Sequence, residues 1–260
     1  MILVLDIGNT SIHGGVFKND ELVFQFRKSS AFRNSSDETG VFLKSILREN
    51  SIDSNKISSI GFCSVVPDRV YSIRNACLKY FDKEPFELRP GVKTGLKILY
   101  RNPLEVGADR IANSLAGISQ FPKKNLLIVD FGTATTIDVV GKNYEYHGGI
   151  IYPGVQMSME VLEDKTAKLP SVEIVQMKSA LGKSTIESIQ SGLFFGQIGV
   201  VKELKHRITC EVFNNEEPIV LATGGFSRLF RSSGLFHSVI PDLVLHGIHK
   251  SLKLNYKEGK

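Results

Sequence analysis

At 260 residues, 42% hydrophobic and 23% charged, the chain is long enough to bury one large core or two smaller ones. No apolar run approaches the roughly 18 residues of a membrane span, and Asp6 and Asn9 interrupt the N-terminal apolar stretch too early for a signal peptide. A membrane is therefore not expected as a partner, and a cytoplasmic setting is. The net charge of +5 comes from lysines and arginines scattered along the chain, without a basic block or interleaved aromatics, which supports nucleic acid weakly and suits anionic small substrates.

Residues 2–7 read as a short buried strand bounded by Gly8, and 12–27 as a hairpin of two alternating runs around "KND". The stretch 35–50 opens with the capping-box pattern Ser35 to Glu38 and predicts a helix. A strand over 56–67 ends at Pro67 and leads into a helix reaching about residue 81; 107–121 is a further helix. The cycle then restarts. A strand at 126–131 passes through "GTATT" into a second at 135–140, with a "GKN" turn opening another hairpin. Helices follow at 154–164 and 183–212, then a strand at 218–225 and a closing helix near 242–255. Two successive units of this kind predict a duplicated α/β domain, divided as 1–115 and 116–260, with a ligand cleft between similar lobes.

Three stretches carry the chemistry. "DIGNT" (6–10) and "DFGTATTID" (130–138) each follow an apolar strand with Asp, any residue, Gly. One such stretch is an ordinary turn former; two, at the starts of look-alike halves, read as a pair of phosphate loops. Gly8 and Gly132 let the backbone approach an oxyanion, Thr10, Ser11, Thr133 and Thr135 offer hydroxyls, and Asp6 and Asp130 stand where carboxylates would hold the cation that accompanies a phosphate. In "NPLEVGADRIAN" (102–113), Asp109 and Arg110 fall in the first turn of a helix. A carboxylate suits that end of the dipole and an arginine does not, so the two read better as a proton acceptor beside an anion holder.

Other patterns carry less. "LGKST" (181–185) lacks the Walker A glycine, since Met177 stands in its place, so no P-loop is expected. "TGG" (223–225) and "HGGIIYPG" (147–154) are bare turns, the first able to lie under an adenosine. "HGIH" (246–249) at a helix end predicts no zinc site. The odd set Cys63, Cys77 and Cys210, without a C-x-x-C pair, reads as reduced thiols.

Taken in order, "DIGNT", "NPLEVGADR", "DFGTATTID", "GGIIYPG" (148–154), "GKST" (182–185) and "ATGG" (222–225) resemble the type III pantothenate kinases of the acetate kinase, sugar kinase and actin superfamily. The resemblance spans nearly the whole chain. It implies an α/β fold of two tandem ribonuclease H-like (actin-like ATPase) lobes, and the phosphorylation of pantothenate to 4'-phosphopantothenate in coenzyme A biosynthesis. It also implies that Asp6, Ile7, Gly8, Asn9, Thr10, Ser11, Ile12 and His13 bind ATP, joined by Thr133. Tyr100, Gly107, Ala108, Asp109, Arg110 and Thr185 would contact pantothenate, with Asp109 the catalytic proton acceptor. Asp130 would hold a monovalent cation, K⁺ or NH₄⁺, and Asp6 is a candidate ligand of the Mg²⁺ that accompanies ATP. The resemblance implies a homodimer. Arg101 departs from the family, in which an acidic or polar residue is commoner between the tyrosine and the Asn-Pro pair. Two other readings stand beside this one: a superfamily kinase with a sugar or acetate acceptor, and a binding module like the relatives described as accessory regulators of transcription.

Overall fold

The first apolar run, β1 (Ile2–Ile7), is buried along most of its length, as befits a strand covered on both faces. In the computed structural model, which describes residues 1–29 and 35–256, it lies between an antiparallel partner, β2 (Ser11–Lys18), and a parallel one, β4 (Ser59–Ser64). β3 (Glu21–Ser29) extends the hairpin and β5 (Phe86–Leu88) runs parallel to β4, so the sheet order is β3-β2-β1-β4-β5. Leu3, Leu5, Ile7 and Phe62 from the sheet share one cluster with Leu43 and Ile73 from the two helices α1 (Ser36–Glu49) and α2 (Pro67–Phe81).

The expected capping box is present: Ser35 Oγ accepts from Glu38 N at 3.1 Å, and Ser35 N donates to the Glu38 carboxylate at 2.7 Å. β4 is shorter than its apolar run suggested. Asp53 caps a 3-10 turn at Ser54–Lys56, and Pro67 serves as the first residue of α2, where its missing N–H costs nothing.

The second sheet repeats the first. β7 (Leu126–Phe131) pairs antiparallel with β8 (Ala134–Val140) and parallel with β10 (Ile219–Thr223); β9 (Glu145–Pro153) extends the hairpin and β11 (Ser238–Val239) runs parallel to β10. The order β9-β8-β7-β10-β11 matches that of the first sheet strand for strand, with β6 (Lys97–Ile98) added beyond β9. α4 (Val155–Lys165) and the long α5 (Thr185–Glu211) contribute Met159, Leu193, Phe194 and Val201 to the core over β7 and β10.

The chain divides into two compact units: unit 1 is Met1–Gly95, Arg101–Ala116 and Val244–Lys260, and unit 2 is Leu96–Tyr100 and Gly117–Leu243. Helix α3 (Ala108–Gln120) gives residues 108–116 to unit 1, and α6 (Leu243–Asn255) lies almost wholly there. In unit 1 α6 sits close to backbone. A Cβ on Gly247 would stand 1.9 Å from Ala112 O, and one on Gly61 2.9 Å from the Leu252 side chain. No helix among the described residues is long and apolar enough to cross a membrane.

Candidate active site

In unit 1 the chain turns from β1 into β2 over residues 8–10, closed by a hydrogen bond from Gly8 N to Ser11 O at 3.0 Å. Asn9 and Thr10 are exposed at the tip, Asp6 and Ser11 half-buried below it. Asp6 faces His13 across β2 and Cys63 across β4, and cross-strand partners point to one face of a sheet. The buried Cys63 thiol donates to Asp6 Oδ1 at 3.4 Å. His13 belongs to the strand rather than the tip: it is buried, and its Nε2 lies 3.1 Å from Gln25 Oε1.

Asp109 is the next acid in this neighbourhood. Burial pushes the Cys63 thiol well up, and the charges of Asp6 and Asp109 push it further, which sets both carboxylates near that sulfur. Asp109 stands in the first turn of α3, where Arg110 N donates to its Oδ1 at 2.8 Å. Burial raises the pKa of its carboxyl above the ordinary value; the Arg110 hydrogen bond and charge oppose that and do not cancel it. A carboxyl so raised is a better base than an exposed aspartate once ionised. Gly107 is explained by the same geometry: a Cβ there would lie 2.5 Å from Asp109 Oδ1. Ala108 and Arg110 are buried, Arg110 only 6% exposed.

In unit 2 the second loop, residues 132–133, is walled by glycines from two later segments. A Cβ on Gly154 would meet Thr133 O at 2.3 Å and Gly132 O at 2.6 Å. One on Gly224, whose φ is +89°, would meet Asp130 Oδ1 at 2.3 Å and the Phe131 carbonyl at 2.7 Å. The turns "GGIIYPG" and "ATGG", which mean little as turns, are thus the supports of the loop, and Phe226 N bonds Phe131 O at 3.1 Å to hold one of them down. Asp130 faces Thr136 on β8 and Thr223 on β10. Thr133 is exposed and Thr135 fully buried.

Tyr100 and Thr185 also belong to unit 2 and are not part of that wall. Tyr100 is half-buried just past β6, its ring centroid 6.4 Å from that of Tyr146 and its edge against Gly148. Thr185 is exposed as the first residue of α5, behind the N-cap Ser184, whose Oγ accepts from Glu187 N at 3.2 Å. Gly182 packs on the same turn, with a Cβ excluded by Ser188 N at 2.5 Å.

No group of three or more His, Cys, Asp or Glu capable of holding a metal occurs among the described residues. The rings of "HGIH" pack instead: His249 stacks on Phe17 at 4.2 Å and His246 meets the same ring edge-on at 5.3 Å. Single carboxylates at Asp6 and Asp130 fit cations that take most of their ligands from phosphate and water. Around Asp130 the strand neighbours are oxygen-bearing threonines, the donor type that hard cations prefer. Sequence reasoning missed Cys63 as part of the first site and had Gly154 only as the end of the motif "GGIIYPG", without its role beside the loop. The signals for these two placements are a cross-strand register and a backbone contact, neither of which a local pattern reveals.

Two sheets of one order, each opening on an Asp-x-Gly turn, define the class: the fold is that of the actin-like ATPases and sugar kinases. Solved structures with this fold include a Campylobacter jejuni protein described as a Baf family transcriptional activator, with TM-score 0.61, 19% identity and coverage of 97% of this chain and 98% of that one. A Sinorhizobium meliloti protein described as a 2-dehydro-3-deoxygalactonokinase has TM-score 0.61 and 11% identity, with coverage of 100% and 98%. The family model for type III pantothenate kinase matches residues 2–207. A type III pantothenate kinase of Legionella pneumophila is 52% identical over 255 residues, 98% of this chain and 99% of its own, and one of Francisella tularensis is 48% identical over 255 residues, 98% and 100%. The chain belongs to the type III pantothenate kinase family. It is a phosphotransferase that phosphorylates pantothenate in coenzyme A synthesis.

Proposed function

We propose that Asp109 accepts the proton of the terminal hydroxyl of pantothenate while that oxygen forms its bond to the γ-phosphorus of ATP and the bond from phosphorus to ADP breaks. The observation that carries this role is the buried, upward-shifted Asp109 carboxyl at the head of α3, with a glycine beside it where a side chain would collide. Arg110, a fixed cation on a buried stem, holds the pantothenate carboxylate. Gly107, Ala108, Tyr100 and Thr185 contact the same substrate. The turn from Asp6 to His13 serves the phosphates of ATP through Gly8 to Ser11, and Thr133 serves them from the second loop. His13, buried on β2, steadies Asp6 from across the strand pair rather than reaching the tip.

Asp6 is the ligand for Mg²⁺ and Asp130 the ligand for a monovalent cation, K⁺ or NH₄⁺. When bound, these cations neutralise charge on the phosphates, which is most of what phosphoryl transfer asks for. The repeated sheet order supports two ribonuclease H-like lobes derived from one ancestor. The family resemblance adds a homodimer working in the cytoplasm, which sedimentation and fractionation would check. The deciding experiment is coupled ATP turnover with pantothenate, with and without potassium, beside sugar and acetate acceptors. Turnover on pantothenate alone, stimulated by potassium, is expected; turnover on another acceptor in preference to pantothenate would overturn the reading.

A further inference from the structure

Behind the second loop, in the interior of unit 2, a residue outside every signature motif, Gln197, joins two of those motifs in a polar cluster. Gln197, midway along α5, is 6% exposed, and its helix neighbours Leu193, Phe194 and Val201 belong to the apolar core. Its Oε1 accepts from the Tyr152 hydroxyl at 2.7 Å and from Thr135 Oγ1 at 3.2 Å, and its Nε2 donates to Pro153 O at 3.2 Å. A backbone carbonyl can only accept, so the NH₂ must face Pro153 and the amide oxygen is left to the two hydroxyls. Burial raises the Tyr152 hydroxyl to about 12, so it remains a donor throughout the neutral range. Leucine at this position would fill the core without the cost of desolvating an amide. The amide therefore answers a need other than packing.

That need lies in what the three partners hold. Thr135 and Tyr152 are directly paired across β8 and β9, and Ala134 and Pro153 form the next rung, the last before the loop. Pro153 leads at once into Gly154, the residue whose Cα is seated against the carbonyls of Gly132 and Thr133. We propose that Gln197 is a positioning residue for the second phosphate loop: by tying both arms of the β8–β9 ladder to α5, it sets where Gly132 and Thr133 stand for the phosphates of ATP. The inference rests on the reading that Thr133 contacts ATP. Gln197 itself touches no substrate and acts through Pro153 and Thr135.

The test is steady-state kinetics of Gln197→Leu, Gln197→Glu, Tyr152→Phe and Thr133→Val, each checked for folding by circular dichroism and melting temperature. Gln197→Leu should lower kcat/KM for ATP by about 10–10²-fold, the cost of a small misplacement remote from the chemistry, while the KM for pantothenate holds. Gln197→Glu should fall as far, because it keeps the acceptor and turns an oxygen toward Pro153 O. Tyr152→Phe removes one hydroxyl and should cost about fivefold; it carries the test if Gln197→Leu does not fold. If Thr133→Val lowers kcat/KM for ATP and the folded Gln197 and Tyr152 variants do not, the positioning role is overturned and the loop reading stands. A rise in the KM for pantothenate as large as that for ATP, alongside a lower melting temperature, would also overturn it, as a purely structural effect. If Thr133→Val changes nothing, the loop reading falls and takes this inference with it.

Discussion

Asp6 and Asp130 hold the same place in two sheets of the same order, one rung from the end of the central strand, and they are served by different neighbours. Asp6 has an imidazole across the antiparallel pair and a thiol across the parallel one; Asp130 has a threonine on each side. The turns above them differ too. The first is closed by its own Gly8–Ser11 hydrogen bond and stands open, whereas the second is braced by Gly154 and Gly224 from later in the chain. The comparison teaches that a repeated backbone keeps its carboxylates in place while the side chains around them differ. One carboxylate has a thiol donor beside it, the other has hydroxyl-bearing neighbours, the oxygen donors that hard cations prefer.

The comparison breaks most sharply at Asp109, because it adds a second acid to the surroundings of Cys63 in unit 1. Asp109→Asn should retain nucleotide binding and lose turnover by about 10²–10⁴-fold, the usual contribution of a placed base; near-normal turnover in a coupled assay would refute its role. The sign of its pH dependence follows from the raised carboxyl. The base form is gained only as pH climbs through a value above the usual aspartate pKa of about 3.9, so the acid limb of the wild-type kcat/KM profile, which reports the free enzyme, should sit above that value and vanish from the residual activity of the variant.

The two loop acids should separate next. Asp130→Ala is expected to abolish stimulation by potassium, and Asp6→Ala to raise the Mg²⁺ needed for half-maximal rate by about tenfold or more with potassium stimulation kept. Cation titrations on both variants check this, and identical responses would collapse the distinction between the sites. A smaller effect concerns the bracing. Gly224→Ala meets both a positive φ and the Phe131 backbone and should cost about 1–3 kcal/mol of stability. Gly8→Ala meets only Ser11 O at 3.1 Å and should cost less in urea denaturation.

The mildest prediction lies in unit 1, far along the chain from either loop. Burial lowers His249 from 6.5 to about 4, against the opposing charge of Asp20. A base with a depressed folded pKa contributes stability above the unfolded value and loses it on acidification. The melting temperature should therefore fall between pH 6.5 and 4, and less steeply in His249→Gln.

Much of this was legible beforehand where local pattern and structure coincide. The capping box at Ser35, the strand at 126–131 and the long helix near 183–212 stand as their patterns indicate. The two-residue strands β6 and β11 and the three-residue β5 were not legible, because so few residues show no alternation, and they exist only by pairing with β9, β10 and β4. Of the site, the loop acids and the Asp109–Arg110 pair were visible as residue types in a pattern, and their surroundings were not.

What the sequence by itself determined is the set of chemical groups and their order: a doubled Asp-x-Gly turn, an Asp-Arg pair at a helix start, and the family those stretches define. What only the tertiary structure decided is who touches them. Cys63 reaches Asp6 through strand register, Gly154 and Gly224 fit against loop backbone, and Gln197 reaches the strand ends from a distant helix. These are contacts between residues tens of positions apart, set by pairing and packing of the whole sheet, and no window of sequence contains both partners.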